Sequence, residues 1–388
     1  WQAFLPAAAE PFDPFPSEEA LRMQLDALAR FPGEAPPPAP DPELLAAALE
    51  TVCGIPIETR AYQALLSHPA VTALPEWIPA ESAGPNGGTV LTRLTGKTLR
   101  AGLPGAFTYR GFRDAVLPLV PEVAAQAALD GLVVAGSCEE TQGSDATALA
   151  AEIEPRLLDL YAQDFIATWD GFLRDVRLAP LADLTVATAN LKDLASPASA
   201  LTGLLTEVAA QTDLARPEAA EEGGAAVPDG VVRAATKRLG TLGRLIGRAD
   251  AAAGPGGGEA PAVPAAARAV SDHFAPIRGL VAEVDGAPAG LADTSAALGA
   301  LANELQTVQN TPDPEAALLA RGGLPELTGA VAEVARGLPD PIDDWIGGIA
   351  ADTTAVTREA VVAQVTARVR ADGLPLCRLH AASATARA

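Results

Sequence analysis

The stretch Leu157–Leu178, LLDLYAQDFIATWDGFLRDVRL, constrains the fold of this chain more than any other. Its apolar residues recur at three- and four-residue steps, which places them on one broad helical face. These residues are Tyr161, Phe165, Ile166, Trp169, Phe172, Leu173 and Val176. Asp170 and Arg174 stand four residues apart on the polar side, in the favourable acid-first order. Pro155 suits a first helical turn and Pro180 stops the run, so the stretch predicts a long core helix.

The composition extends this prediction to the whole chain of 388 residues, of which 49% are hydrophobic but only 4% aromatic. Because alanine is abundant and aromatic residues are scarce, helices packed through small side chains are favoured. We therefore predict a mainly α fold, an elongated bundle of many helices with at most a few short strands. The formal net charge of -22 would be repelled by nucleic-acid phosphates and anionic lipid surfaces, which excludes both as expected partners.

Periodicity, caps and breakers divide the chain into helices, strands and linkers. Helices are predicted over 17–31, 41–53, 56–68, 112–129, 145–178, 181–194, 198–212, 231–248, 263–284, 291–309, 314–321, 324–336 and 341–370. Short strands are predicted over 89–94 and 131–136, and loops over 74–88 and 139–144. The Pro-, Gly- and Ala-rich segments 216–230 and 250–264 are predicted to be flexible linkers. Because the chain lacks an initiator Met, we expect it to be a piece of a longer protein.

Three cysteines, Cys53, Cys138 and Cys377, are too few and too far apart for a disulfide framework or a paired-cysteine zinc site. At most one internal pair can form. No uninterrupted apolar run is long enough to span a bilayer.

The tetrapeptide Thr95-Gly96-Lys97-Thr98 resembles the end of a phosphate-binding Walker A loop. That loop requires a glycine five residues before Gly96, where this chain has Leu91, and no long helix opens at Thr98. The sequence therefore predicts a polar turn instead of a nucleotide site.

A nucleophile at Gly136-Ser137-Cys138-Glu139 would need the flanking glycines of a nucleophile elbow or a positioned histidine. The glycines are missing, and none of the three histidines, His68, His273 and His380, has a context that indicates activation. We expect His273 to cap or pack.

Asp340, Asp343 and Asp344 lie beside Trp345, and neighbouring carboxylates can hold a metal or act as acid and base. Here they fall in the first turn of a predicted helix, where the helix dipole explains them. We therefore predict no catalytic, cofactor-binding or metal-binding residue.

Several segments resemble, in order, the periplasmic part of the IcmF/TssM (VasK) family of type VI secretion membrane-complex proteins, over about Tyr62 to Cys377. They are Leu94–Phe112 (LTGKTLRAGLPGAFTYRGF), the helix with Tyr161, Asp164 and Trp169, Leu194–Leu205 with its Ser196-Pro197, Thr212-Asp213-Leu214, Val270–Val281 (VSDHFAPIRGLV) and Leu338–Trp345 (LPDPIDDW).

Two departures from the family pattern stand out. Leu132 occupies the position where the family tends to have a tryptophan in a short strand. After Cys377 the family continues into an Arg-Tyr-Pro-Phe motif and a β-sandwich, whereas this chain reads CRLHAASATARA. We therefore expect the C-terminal β-sandwich to be absent.

The resemblance implies two domains: residues 1–130 as the end of an IcmF-related helical region, and residues 131–388 as a truncated periplasmic helical domain. It implies a structural, non-enzymatic role without a cofactor, at the periplasmic face of the bacterial inner membrane, with the anchor outside this chain. The implied partners are a TssL-like inner-membrane protein, a TssJ-like outer-membrane lipoprotein and further copies of the chain. Two alternatives stay open, a Cys-dependent hydrolase using Cys138 and a helical module that binds a small ligand in an inter-helix cleft.

We predict that Trp169→Ala lowers the free energy of unfolding by about 3–5 kcal/mol, because it truncates a buried aromatic side chain. Chemical denaturation measures the effect. An unchanged unfolding midpoint would show that Trp169 lies on the solvent face of its helix.

Overall fold

A computed structural model describes residues 53–134, 145–216, 263–284, 287–322 and 324–373, together with single helical positions at Glu43, Ala47 and Thr51. The predicted helices 17–31 and 231–248 lie outside the described residues. So do the two predicted linkers, apart from residue 216 and residues 263–264. The predicted helix 41–53 is described only at Glu43, Ala47, Thr51 and Cys53, all of which are helical.

The described part of the chain is mainly α, as predicted. Its helices are α1 (Ile57–Ser67), α2 (Pro69–Thr72), α3 (Pro79–Ser82), α4 (Gly87–Val90), α5 (Leu117–Val134), α6 (Ala146–Asp175), α7 (Leu184–Leu194), α8 (Ala200–Thr212), α9 (Ala265–His273), α10 (Ala275–Val281), α11 (Ala292–Gln309), α12 (Pro314–Ala320), α13 (Pro325–Ala335) and α14 (Ile342–Arg368). Short 3₁₀ helices cover Gly105–Phe107 and Ala289–Leu291, and π-helices cover Gly111–Val116 and Val369–Gly373.

Two antiparallel strand pairs supplement the helices in the described ranges. Strand β1 (Leu91–Arg93) pairs with β2 (Val176–Leu178), with Leu91 opposite Leu178. Strand β3 (Glu283–Val284) pairs with β4 (Ala287–Pro288). The strand predicted over 89–94 is thereby confirmed at its centre.

Helix α6 is the predicted core helix, and it packs against α1, α5 and α9. Tyr161, Phe165 and Trp169 are almost fully buried, which confirms the predicted face. Its predicted end was wrong, because the helix stops at Asp175 and Val176–Leu178 forms β2. Pairing with β1 outweighs the helical periodicity there.

Pro155 does not start or break the helix as predicted, but lies inside α6. A proline removes one backbone hydrogen bond of the helix and leaves the carbonyl four residues earlier unpaired. Both Pro155 and that residue, Ala151, are exposed, so water can satisfy the free carbonyl.

The predicted strand 131–136 is wrong where the structure describes it, because residues 131–134 form the last turn of α5. Residues 135–136 lie outside the described part. A short run of Val and Leu has no periodicity of its own, so it fits a buried helix end as well as a strand.

The single helix predicted over 263–284 is divided into α9 and α10. Phe274 separates them, and Pro276 stands in the first turn of α10. Because proline has no N–H to continue an existing helix but fits a helix start, it favours a new helix at this position.

The later helices pack mainly on one another. Helix α7 packs on α11, α13 lies between α11 and α14, and α12 packs on α14. Buried side chains form one continuous core from Ile57 to Ala350. The predicted domain boundary at residue 130 falls within α5, and it stays a prediction.

Cys53 is disulfide-bonded. This agrees with the expectation that three cysteines form at most one internal pair. Among the helices that the structure describes, none combines the length and apolarity needed to cross a membrane.

Candidate functional site

The Gly-rich segment Leu103–Phe112 folds over the aromatic face of α6. At its start, Leu103 exchanges two backbone hydrogen bonds with Trp77, each of 2.9 Å. Further along, the rings of Phe107 and Phe112 both stack on Tyr161, with centroids 5.8 and 5.6 Å away. At the other end of the cluster Trp77 lies against Trp169, with ring centroids 4.8 Å apart. Seven aromatic rings thus join α6 to this segment and to Trp77: Trp77, Phe107, Phe112, Tyr161, Phe165, Trp169 and Phe172.

The polar atoms of this aromatic face hold the backbone of the segment. The Tyr161 hydroxyl donates to the carbonyl oxygen of Ala106 at 2.6 Å. The Trp169 indole Nε1–H donates to the next carbonyl, that of Phe107, at 2.8 Å. Buried Tyr and Trp side chains normally find such a partner, because an unpaired buried donor is costly. Two successive peptide carbonyls are therefore fixed by two side chains of α6.

A third hydrogen bond ties α6 to α1. The Tyr62 hydroxyl donates to Asp164 Oδ2 at 2.6 Å. Burial raises the pKa of Tyr62 far above its ordinary value, and the hydrogen bond and negative charge of Asp164 raise it further. Burial also raises the pKa of Tyr161. Both phenols therefore stay protonated donors. We call the set Tyr161, Asp164 and Trp169 with these three partners the α6 clasp.

A buried ion pair fixes the C-terminal end of α6. Asp175 accepts from Arg93 Nε at 2.5 Å and from the backbone N–H and hydroxyl of Thr95 at 2.8 and 2.9 Å. Desolvation by burial opposes the charge, but the hydrogen bonds from Thr95 and Arg93 prevail and hold the pKa of Asp175 below its ordinary value. Arg93 is the last residue of β1, and Asp175 directly precedes β2. The ion pair therefore holds the two strands together.

The same ion pair explains the tetrapeptide Thr95–Thr98. It forms a turn after β1 in which Gly96 has a φ of +74°. The Thr95 hydroxyl is already bonded to Asp175, and no helix begins at Thr98. The polar turn predicted from the sequence is thus confirmed.

The described histidines serve local structure. His68 caps α2 by accepting from the N–H of Ala70 at 3.2 Å. His273 lies at the end of α9, with Nε2 3.0 Å from Asp170 Oδ1 and its ring edge against Phe274. His273 therefore packs and pairs, as expected. Cys138 and His380 lie outside the described residues.

The three aspartates near Trp345 do not converge on one point. Asp343 and Asp344 stand in the first turn of α14, as predicted. Asp340 instead faces Arg174 at 3.8 Å, and Arg174 also lies 3.6 Å from Asp170, the predicted i,i+4 pair. In the described ranges, no group of three or more His, Cys, Asp or Glu side chains is arranged to hold a metal ion.

A cleft of 680 Å³ opens where the N-terminus of α7 meets the C-terminus of α11 and the start of α12. Thr185, Gln306, Asn310 and Asp313 are among its lining residues. A smaller hollow of 290 Å³ shares Thr185 and extends it toward Glu359 of α14. The walls of the larger cleft are mainly polar, whereas half of the residues that line the smaller hollow are apolar. The described contacts at the larger cleft include the cap of α12 by Asp313 and a bond from Lys192 to Gln306.

The sequence did not point to Tyr62, Trp77 or Arg93, although each contacts α6 directly. Each is far from α6 along the chain, and Tyr62 and Arg93 lie in stretches that are predicted well as a helix and a strand. Only Trp77 could have been singled out by composition, because the chain has just four tryptophans.

These contacts define a helical protein in which the aromatic and acidic side chains of α6 join one segment of the chain to another. A family model described as "IcmF-related: Intracellular multiplication and human macrophage-killing" matches residues 1–213, and the chain belongs to this family.

Two further similarities agree with that membership. The chain is 29% identical over 290 residues to the type VI secretion system component TssM1 of Pseudomonas aeruginosa PAO1, a match that covers 74% of this chain and 24% of the relative. Its fold resembles a chain of a type VI secretion system membrane core complex, with a TM-score of 0.52 and 15% identity, over 81% of this chain and 52% of that one. The chain thus spans about a quarter of the length of the curated relative.

We predict that Gly111→Ala destabilises the protein, because an added Cβ would lie 1.9 Å from the carbonyl oxygen of Gly105. Such an overlap must displace backbone at the clasp and should cost roughly 2 kcal/mol or more. The matched control is Gly171→Ala on the exposed side of α6, where a Cβ meets nothing within 4 Å. The control should be neutral or stabilising by up to about 1 kcal/mol. Equal unfolding free energies for both variants would refute the close approach.

Proposed function

We propose that this chain is the periplasmic helical scaffold of a type VI secretion membrane complex. It would form part of a connection between an inner-membrane anchor and an outer-membrane lipoprotein, and pack with copies of itself. Family membership and the similarity to a secretion-system component carry the coarse assignment to such a complex. The periplasmic position and the partners are proposed in addition to that assignment.

The α6 clasp is the observation that favours a mechanical role. Tyr161, Asp164 and Trp169 would be the natural candidates for a ligand site on this helix. All three are instead engaged with other parts of the same chain, at 2.6 to 2.8 Å. Side chains used in this way make a stiff body from helices that are distant in sequence, which is what a load-transmitting scaffold needs.

The disulfide at Cys53 supports a periplasmic position. Disulfides persist in oxidising compartments such as the bacterial periplasm and are rare in the cytosol. The strongly acidic surface, with a net charge of -22, also suits a protein that must not adhere to anionic lipid while lying between two membranes.

The proposed partners are a TssL-like inner-membrane protein and a TssJ-like outer-membrane lipoprotein. Both are expected for the intact parent protein, of which this chain would be one part.

The test is affinity purification of the tagged full-length parent from detergent-solubilised envelopes. We expect both membrane partners to co-purify with the wild type and with the Gly171→Ala control. The Gly111→Ala variant should recover less of the lipoprotein, because a loosened clasp weakens the scaffold. A folded wild-type parent that brings down neither partner would contradict the proposal.

A parallel secretion assay separates the enzymatic alternative. A parent with Cys138→Ala should secrete as well as the wild type if the role is structural. Cys53→Ala is the control, because Cys53 is disulfide-bonded and Cys138 is one of the two cysteines that could pair with it. Loss of secretion with Cys138→Ala but not with Cys53→Ala, while the complex assembles normally, would favour a Cys-dependent hydrolase.

A further inference from the structure

The C-terminal part of α14 is covered by the rest of the described chain on one side only. Thr357 is its last buried residue, and the side chains from Arg358 to Ala371 are exposed or only partly buried. Together with the π-helix Val369–Gly373, this makes about four helical turns, which the rest of the described chain covers only at partly buried residues such as Ala360 and Val361. We call residues 358–371 the α14 arm.

Three valines form a stripe along the arm. Val362, Val365 and Val369 are 56%, 42% and 62% exposed, and their spacing of three and four residues puts them on one face. Thr357 and Gln364 mark the opposite face, since Thr357 is buried and Gln364 donates to Asp313 of the α12 cap at 3.1 Å. β-Branched residues do not favour a solvated helix, whereas they are well suited to helix pairing.

Opposite charges flank the two ends of this stripe. Glu359 precedes it and Arg370 follows it, both are exposed, and the helical spacing places them on the same flank of the arm. Eleven residues separate them, or about 16 Å along the helix, so they cannot pair within one chain.

We propose that the α14 arm pairs with the arm of a second copy, antiparallel, about a two-fold axis close to Val365. In that arrangement the valine stripes face each other, as in a short coiled coil. Arg370 lies five residues after the axis and Glu359 six before it, so each Arg370 reaches Glu359 of the other copy. The charges that are separated within one chain become neighbours between two.

The pairing deepens the proposed function, because it names the surface through which copies of the scaffold would meet. Three valines and one charge pair for each copy make a small interface, so one contact alone should be weak. Within an assembly that holds the copies together by other contacts, its effective affinity would be much higher.

Analytical ultracentrifugation of the full 388-residue chain, over a concentration series in low and high salt, tests the pairing. The wild type should show a concentration-dependent dimer that weakens in high salt, because exposed charges are screened. Arg370→Glu or Glu359→Arg alone should raise the dissociation constant about tenfold, since each places like charges together at both ends. Arg268→Glu, an exposed charge reversal on α9, is the matched control and should have no effect.

Charge exchange gives the decisive readout. The double variant Glu359→Arg/Arg370→Glu should dimerise as the wild type does, and so should an equal mixture of the two single variants, because each restores opposite charges across the axis. Val365→Asp should abolish dimerisation while circular dichroism stays unchanged. A wild type that is monomeric at every concentration, or single variants that neither the exchange nor the mixture rescues, would overturn the proposal. A monomeric chain whose parent still co-purifies with its membrane partners would remove this inference and leave the proposed function standing.

Discussion

The hydrogen bonds from Tyr161 and Trp169 to two consecutive backbone carbonyls hold the first half of this structure together. The rings supply burial, but burial alone would let the Leu103–Phe112 segment slide along α6, because apolar contact has no direction. The two donors remove that freedom. A hydroxyl or indole N–H buried without an acceptor costs about 1–3 kcal/mol, so other placements of the segment are penalised.

Two glycines and a threonine give the Leu103–Phe112 segment its shape. Gly105 and Gly111 allow backbone approaches that a side chain would block. Thr108 closes the turn between them by donating to the carbonyl of Gly105 and accepting from the N–H of Gly111. Tyr109 then extends the joint to α8, because its backbone N–H donates to Gln211 Oε1 at 3.0 Å. Residues that resemble a family signature in sequence are, in space, one continuous connection between α6 and α8.

Much of this architecture could be predicted from the pattern of residues, and the failures have physical causes. The buried face of α6 and the bounds of α11, α13 and α14 follow from helical periodicity, which is local. The strand Val176–Leu178 could not be foreseen, because it depends on pairing with Leu91–Arg93 some 80 positions away. The partners Tyr62 and Arg93 were missed for the same reason. A sequence shows which side chains can donate a hydrogen bond, but only the fold shows which carbonyl or carboxylate oxygen accepts it.

The central claim is that α6 fastens neighbouring segments through its polar atoms, and a double-mutant cycle on Tyr62 and Asp164 tests it most directly. This is the member of the α6 clasp in which both partners are side chains, so each can be changed separately. Unfolding free energies are measured for the wild type, Tyr62→Phe, Asp164→Asn and the double variant. We predict a coupling energy of about 1–2 kcal/mol, as expected for a charged hydrogen bond that is partly buried. Additive effects, with a coupling energy near zero, would show that the contact does not hold α6 to α1.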